Sequence, residues 1–303
     1  MDIYFPIAEV SLNGFFVIAL GLIAGFAAGL FGVGGGFVLT PLLIFSGVPP
    51  MVAVGTQANQ LVASSLSSVL GYIKRHLVDT RMALLLFAGG MVGGWFGLRL
   101  FSVLRDKGQI DITISLLYII FLGGVGLFML LDTWRTLRRR RLGRQSPPRA
   151  RHHWLHGLPF KVYFTQSRLY ISVLPILLIG AVIGLLVAIM GIGGGFLLVP
   201  AMIYLLRMPV HLVPGTSLLQ ILLVAVVVTV SHAVKHQSVD VLLALVLVMG
   251  SVLGSQLGAK AAAQWRGEWV RLSFAAVVLG LAGVMLLQLL LPPARLFSWT
   301  VMP

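Results

Sequence analysis

Residues 25–41 read GFAAGLFGVGGGFVLTP, and residues 184–200 read GLLVAIMGIGGGFLLVP. In each, an apolar run is interrupted by three consecutive glycines, Gly34-Gly35-Gly36 or Gly193-Gly194-Gly195, and resumes up to a proline, Pro41 or Pro200. Glycine is a poor helix former, so a triplet breaks a helix that the apolar flanks would otherwise continue. A helix break written twice in strongly apolar sequence points to transport.

The repetition extends outward from the glycines. Gly25, Gly32, Gly36 and Pro41 align with Gly184, Gly191, Gly195 and Pro200 at an offset of 159. Gly55-Thr56 with Gln60 aligns with Gly215-Thr216 with Gln220 at 160, and Val78-Asp79, Gly89, Gly93 and Gly97 align with Val239-Asp240, Gly250, Gly254 and Gly258 at 161. Two one-residue slips are small loop indels. Ordered matches of Gly, Pro, Asp and Gln argue for duplication into two structural halves rather than for chance likeness between oily helices.

At 303 residues, with 58% hydrophobic and 10% charged residues, the chain lacks the polar surface of a soluble protein; its mean hydropathy is +1.01. It reads as an integral membrane protein. Ser11 to Ile73 carries no charge, and further uncharged stretches run 82–98, 112–131, 169–206, 208–234, 241–259 and 272–294. Several reach the roughly 20 residues that cross a hydrocarbon core as helix.

The expected fold is therefore an all-α polytopic membrane protein of two homologous halves. A transmembrane repeat at 1–131 is joined by a basic linker at 132–168 to a second repeat at 169–303. Each half reads as one long broken segment and three ordinary spans: 11–46, 52–73, 81–101 and 110–131, then 170–206, 213–234, 240–260 and 270–291. That makes about eight spans, or ten if the short helices after the breaks also cross. The 38 uncharged residues of 169–206 would extend about 57 Å as one helix, too long for one crossing and too short for two with a turn. A helix that enters, unwinds at Gly191–Gly195 (Gly32–Gly36 in the first half) and leaves as a shorter helix resolves this, either as a re-entrant hairpin or as a short second span. The crossings per half are then odd in number, and the halves are expected to be inverted repeats.

The formal charge of +14 is unevenly spread, with ten of the 22 Lys and Arg between Arg135 and Arg168. A basic loop obeying the positive-inside rule explains this better than a nucleic-acid-binding arm, and places the linker in the cytoplasm against lipid headgroups. The linker is expected to be mobile. Met1 to Val10 carries Asp2 and Glu9 and no positive charge, unlike a signal peptide, and is expected to remain in the mature chain. With no Cys, disulfides, thiol catalysis and Cys-ligated metal sites are excluded.

Candidate binding residues cluster at the breaks. Gly34, Gly35, Gly36, Gly193, Gly194 and Gly195 free backbone amides at helix starts, where unpaired N–H groups and the helix dipole favour an anion; close helix packing is the competing reading. Thr56, Gln57 and Gln60 in one half, and Thr216, Ser217 and Gln220 in the other, put polar groups at the start of otherwise apolar spans. They can bond a substrate or a neighbouring helix. By contrast, Gly89, Gly93, Gly97 and Gly250, Gly254, Gly258 recur every four residues and read as a packing seam. All eight acidic residues fall outside or at the ends of the proposed spans, which argues against a mid-membrane proton relay and for a negatively charged substrate. His232 and His236 have i, i+4 spacing but no accompanying acidic or Cys ligand, so no metal site is expected. The chain has no HExxH or GxSxG pattern, and neither catalytic residues nor a cofactor are expected.

Gly25 to Pro41, Val54-Gly55-Thr56 and their copies, Gly184 to Pro200 and Pro214-Gly215-Thr216, resemble the sulfite exporter TauE/SafE family of bacterial permeases. The likeness covers nearly the whole chain apart from the linker and tails, and the Arg-rich linker is longer than in a minimal member. The resemblance implies a permease of the bacterial cytoplasmic (inner) membrane for sulfite, sulfoacetate or another organosulfonate. Joined to the residue reading, it predicts a secondary transporter working by alternating access, with an anion held between the halves. Homo-oligomers are compatible with it. The rival readings are an anion channel using the same breaks as a filter and a membrane-embedded enzyme or assembly factor.

Overall fold

A computed structural model describes residues 2–141, 160–190, 194–231, 234, 240–264 and 267–290. One order of elements occurs twice. The first half contains a hairpin of β1 (Asp2–Phe5) and β2 (Val10–Asn13), then α1 (Gly14–Phe31), α2 (Gly36–Phe45), α3 (Pro50–Lys74), α4 (Thr80–Asp106) and α5 (Ile110–Arg141). The second contains a hairpin of β3 (Lys161–Phe164) and β4 (Leu169–Ser172), then α6 (Val173–Met190), α7 (Gly195–Pro200) with a π-helical continuation over Ala201–Leu205, α8 (Val213–Ser231), α9 (Val241–Gln264) and α10 (Gly267–Leu290).

The chain is an all-α polytopic membrane protein, as its composition dictates. Among the described residues six helices are long and apolar enough to cross a bilayer: α1, α4, α5 over Ile110–Asp132, α6, α8 over Val213–Val230 and α9 over Val241–Ala262. Two of the eight expected spans fall short of that measure. α3 has 25 residues, but amides and serines dilute its apolar content, and the apolar part of α10 is Leu272–Leu287. α2, with ten residues, rises about 15 Å, half a hydrocarbon core, and does not cross alone.

The broken segment instead turns back. Leu39 and Leu43 of α2 and Val48 behind it pack in one apolar cluster with Phe5 of the first hairpin and Val17 and Leu20 of early α1. α2 therefore returns toward the end where α1 began. Gly32 closes α1 with φ +70°, its N–H bonded to the Ala28 carbonyl at 3.0 Å, and Gly35 starts α2 with φ +74°. Both values lie in the left-handed region that side chains avoid, which is why the break needs glycine.

The halves interlock rather than sit side by side. α1 packs along α9, α6 along α4, and α3 and α8 meet in the middle. Glycines make the two long contacts. Gly25 and Gly29 of α1 face the carbonyls of Ser251 and Ser255, while Gly250, Gly254 and Gly258 of α9 face those of Ile18, Leu22 and Phe26. On the α4–α6 side, Gly89 and Gly93 meet the carbonyls of Leu177 and Ala181, and Gly184 meets Gly90. The four-residue glycine spacing is thus a seam where two backbones touch, and it joins opposite halves.

Both hairpins are additions to the sequence expectation. Their registers match, with Asp2 paired to Asn13 and Lys161 to Ser172, and their turns both contain a left-handed residue, Glu9 or Arg168. Phe5 and Phe164 are fully buried beneath them. The expected linker is shorter at both ends, since α5 continues to Arg141 and β3 starts at Lys161. The expected mobility of 142–159 lies outside the described residues.

A side chain forced into the seam separates two helices. Gly93→Val or Gly254→Val should cost about 3 kcal/mol and abolish monodisperse protein in size-exclusion chromatography. Gly280→Val on α10, where an added Cβ meets nothing within 4 Å, should elute as wild type.

Candidate functional site

The two glycine breaks meet. The Gly195 position at the start of α7 lies against the Val33 carbonyl inside the first break, too close for any side chain. Gly34 has φ +85° and lies between α3 and α8; a Cβ there would stand 2.7 Å from Leu61 Cδ1 and 3.2 Å from Ile221 Cγ2. Leu61 and Ile221 immediately follow Gln60 and Gln220, two equivalent glutamines, one from each half, on the two helices that enclose the break. Gly191, Ile192 and Gly193 lie outside the described residues, and the role expected of Gly193 lies there with them.

Gln60 and Gln220 are fully buried, and neither the nitrogen nor the oxygen of either amide has a hydrogen-bond partner. Leaving such a group unsatisfied costs about 1–3 kcal/mol. Here two of them stand at equivalent positions of the two halves. The Gln220 Nε2 points toward α4, 3.4 Å from where a Gly90 Cβ would stand. Gln57, one turn before Gln60 on α3, is buried as well.

The breaks also free backbone donors. The starts of α2, at Gly35-Gly36, and of α7, at Gly194-Gly195, carry no side-chain cap. The first helical bonds there come from Val38 and Leu197, so the amides of Gly36, Phe37, Gly195 and Phe196 precede them. α1 and α4, in contrast, are capped by Asn13 and Asp79. Uncapped helix starts carry partial positive charge without any cationic side chain.

The hydroxyls expected to join this site have other partners. Ser217 Oγ donates to the carbonyl of Gly32 at 2.6 Å and to that of Pro214 at 3.0 Å, satisfying a backbone acceptor freed by the break. Thr216 Oγ1 donates to the Leu212 carbonyl at 2.8 Å and accepts the Asp79 N–H at 2.9 Å. Thr56 Oγ1 accepts the Asp240 N–H at 3.0 Å.

These threonines belong to two clamps that sequence reasoning missed. Asp79 caps α4 by accepting the Met82 N–H through Oδ1 at 3.1 Å, and through Oδ2 it accepts the N–H and the hydroxyl of Ser167 at 3.2 and 2.7 Å. Asp240 caps α9 through the Leu243 N–H at 3.0 Å and accepts the Ile7 and Ala8 N–H groups at 3.0 and 3.3 Å. Each aspartate thus belongs to one half and is bound by the hairpin and threonine of the other. The clamps stand at opposite ends of α3, since Thr56 is near its start and Asp79 lies just past its end. The repeated Val-Asp landmark was the available signal, though its partners lie 88 to 233 residues away.

A chamber of about 670 Å³ opens beside the first break. Leu30, Phe31 and Pro214 line its inner end, and Arg75 and His211 also border it. Phe274 closes one wall, its ring 5.1 Å from Phe31 and 5.4 Å from Phe37. Gly32 packs on Pro214, which joins the chamber's wall to the break. His232 and His236 lie outside the described residues.

Residues 17–285 match the sulfite exporter TauE/SafE family. A Bacillus subtilis protein named probable membrane transporter protein YunE is 31% identical over 233 residues, covering 72% of this chain and 77% of the relative. A probable membrane transporter protein of Xylella fastidiosa is 32% identical over 230 residues, covering 75% and 76%. Sulfite exporter TauE/SafE family protein 3 of Arabidopsis thaliana is 37% identical over 114 residues, 35% of this chain and 24% of that one. No solved structure matches the chain.

If the clamps hold the halves together, Asp79→Ala and Asp240→Ala should each destabilise the detergent-solubilised protein by about 2 kcal/mol or more, read as a lowered unfolding midpoint. A double-mutant cycle of Asp79→Ala with Ser167→Ala should give a coupling energy of about 1 kcal/mol or more.

Proposed function

This chain belongs to the sulfite exporter TauE/SafE family of membrane transporters, and from that premise we propose that it is a secondary transporter, and no enzyme, that carries a small sulfur oxyanion or organosulfonate between its two halves. The observation that carries this reading is the pair Gln60 and Gln220, fully buried and with unpartnered amides, at equivalent positions on the two helices that enclose the first glycine break.

In this reading the anion accepts hydrogen bonds from the two glutamine amides and from backbone N–H groups at Gly34 to Gly36 and Gly193 to Gly195. Gln57 lies on the same face of α3 and joins them. Ser217 keeps the first break in shape through the Gly32 carbonyl, and Thr56 and Thr216 act through the clamps. Neutral donors and helix starts compensate a monovalent anion without binding it so tightly that it stays. The same donors fit the tetrahedral oxygens of a sulfonate or the pyramidal oxygens of sulfite. The family name is the ground for sulfur over carboxylate.

The build supports alternating access. The clamps at opposite ends of α3, with a broken segment in each half, are what inverted repeats would give. One end of the molecule gathers Lys74, Arg75, His211 and Lys260, and α5 ends there in Arg138–Arg141. By the positive-inside rule that end, with the linker, faces the cytoplasm of a bacterial cell whose inner membrane holds the protein. The chamber beside Gly32 is then the cytoplasmic approach to the anion.

The test is transport in proteoliposomes. Gln60→Ala and Gln220→Ala should each reduce saturable uptake of labelled sulfite or sulfoacetate about tenfold, the loss of one hydrogen bond to a charged group. Unchanged uptake by correctly inserted variants would exclude the glutamine site, and single-channel currents would replace the carrier with a pore.

A further inference from the structure

A second polar feature lies apart from the glutamines. The C-terminal part of α3 and the end of α9 border a cleft of about 400 Å³, lined among others by Ser67, Ser68, Lys74, Arg75, Gln256 and Lys260. Three cations from two helices share one small volume, so their mutual repulsion is relieved by an anion among them. Gln256 Nε2 donates to Ser67 Oγ at 3.3 Å, which joins the two walls. Ser68 is 1% exposed, and its hydroxyl has no hydrogen-bond partner. An unsatisfied donor beside three cations is the chemistry of an oxyanion site.

The surroundings identify the source of that oxyanion. On α3, Leu70 lines the cleft and is exposed, as are Leu66 and Ile73 on the same helix, and on α9 Leu253 and Leu257 are exposed. These apolar faces belong in acyl chains, while Lys74, Arg75 and Lys260 stand at the helix ends, at headgroup level. The polar, cationic cleft thus lies between helices whose exposed faces are apolar, the setting of a phosphate ester whose chains run along α3 and α9. A free oxyanion would use the cations and leave those faces unexplained.

We propose that this cleft binds a phosphate group, and that the group is the headgroup of an anionic phospholipid wedged between α3 and α9. Tyr72, Arg75 and Ala259 line both this cleft and the chamber beside Gly32. The lipid therefore braces the wall of the approach to Gln60 without touching the glutamines, and its binding does not depend on what the protein carries.

The test uses the full chain in neutral detergent, with no transported anion present, and reads the unfolding midpoint. Dioleoylphosphatidylglycerol should raise the midpoint, whereas dioleoylphosphatidylcholine, glycerol phosphate and inorganic phosphate at matched concentrations should raise it far less. Lys74→Gln with Lys260→Gln should weaken the apparent affinity for phosphatidylglycerol about thirtyfold, from two lysine–headgroup contacts. Lys74→Arg with Lys260→Arg should preserve it, and Ser68→Ala should weaken it while leaving the charge intact. Equal stabilisation by phosphatidylcholine, or a full response in the Gln variant, would overturn the site. Equal stabilisation by inorganic phosphate would overturn the lipid assignment. Because uptake is not measured, these outcomes are separate from the fate of the glutamine site.

Discussion

Backbone that leaves the helix inside a hydrocarbon layer must find its hydrogen bonds within the protein, and this constraint organises the molecule. The chain interrupts a helix at Gly32–Gly36, and elements of the other half enclose that interruption. Ser217 of the second half bonds the Gly32 carbonyl of the first, and the start of α7 rests on Val33. The glycine seams supply the necessary closeness, because α1 and α9, and α4 and α6, approach until backbone touches backbone. Once the first break is sealed in this way, the donors left over are those that we propose hold the substrate.

The crossed clamps give the same arrangement its ends. A carboxylate that caps its own helix while binding the other half's hairpin and threonine ties a local helix start to the global fold. Asp79 and Asp240 are 2% and 1% exposed, and N–H and hydroxyl donors from both halves meet their buried carboxyl oxygens. A transporter that rocks its halves must pivot about such points or open them in turn. The two stand at opposite ends of α3, which suits an element that is gripped at both faces of the membrane.

Much of this was legible in the chain because duplication doubles every signal. The breaks, the glycine seams and the paired Gln60 and Gln220 each occur twice at a nearly constant offset, which separates them from the apolar background. The family followed from the same residues. What could not be read were partners distant in sequence: Asp79 and Thr216 are 137 residues apart, and Asp240 and Thr56 are 184. The threonines therefore looked like substrate ligands when their hydroxyls serve the clamps. The hairpins were hidden for another reason. Strands of four residues in a charged stretch leave little periodicity, although Tyr4-Phe5 and Tyr163-Phe164 preserve the offset of 159.

The most direct test is to locate the anion. A structure of the protein with bound sulfoacetate, with the sulfur placed by its anomalous signal, should show the sulfonate oxygens about 2.8–3.0 Å from the Gln60 and Gln220 amides and from backbone nitrogens of the breaks. An anion found only among Lys74, Arg75 and Lys260, with the two glutamine amides still unbonded to it, would contradict the account.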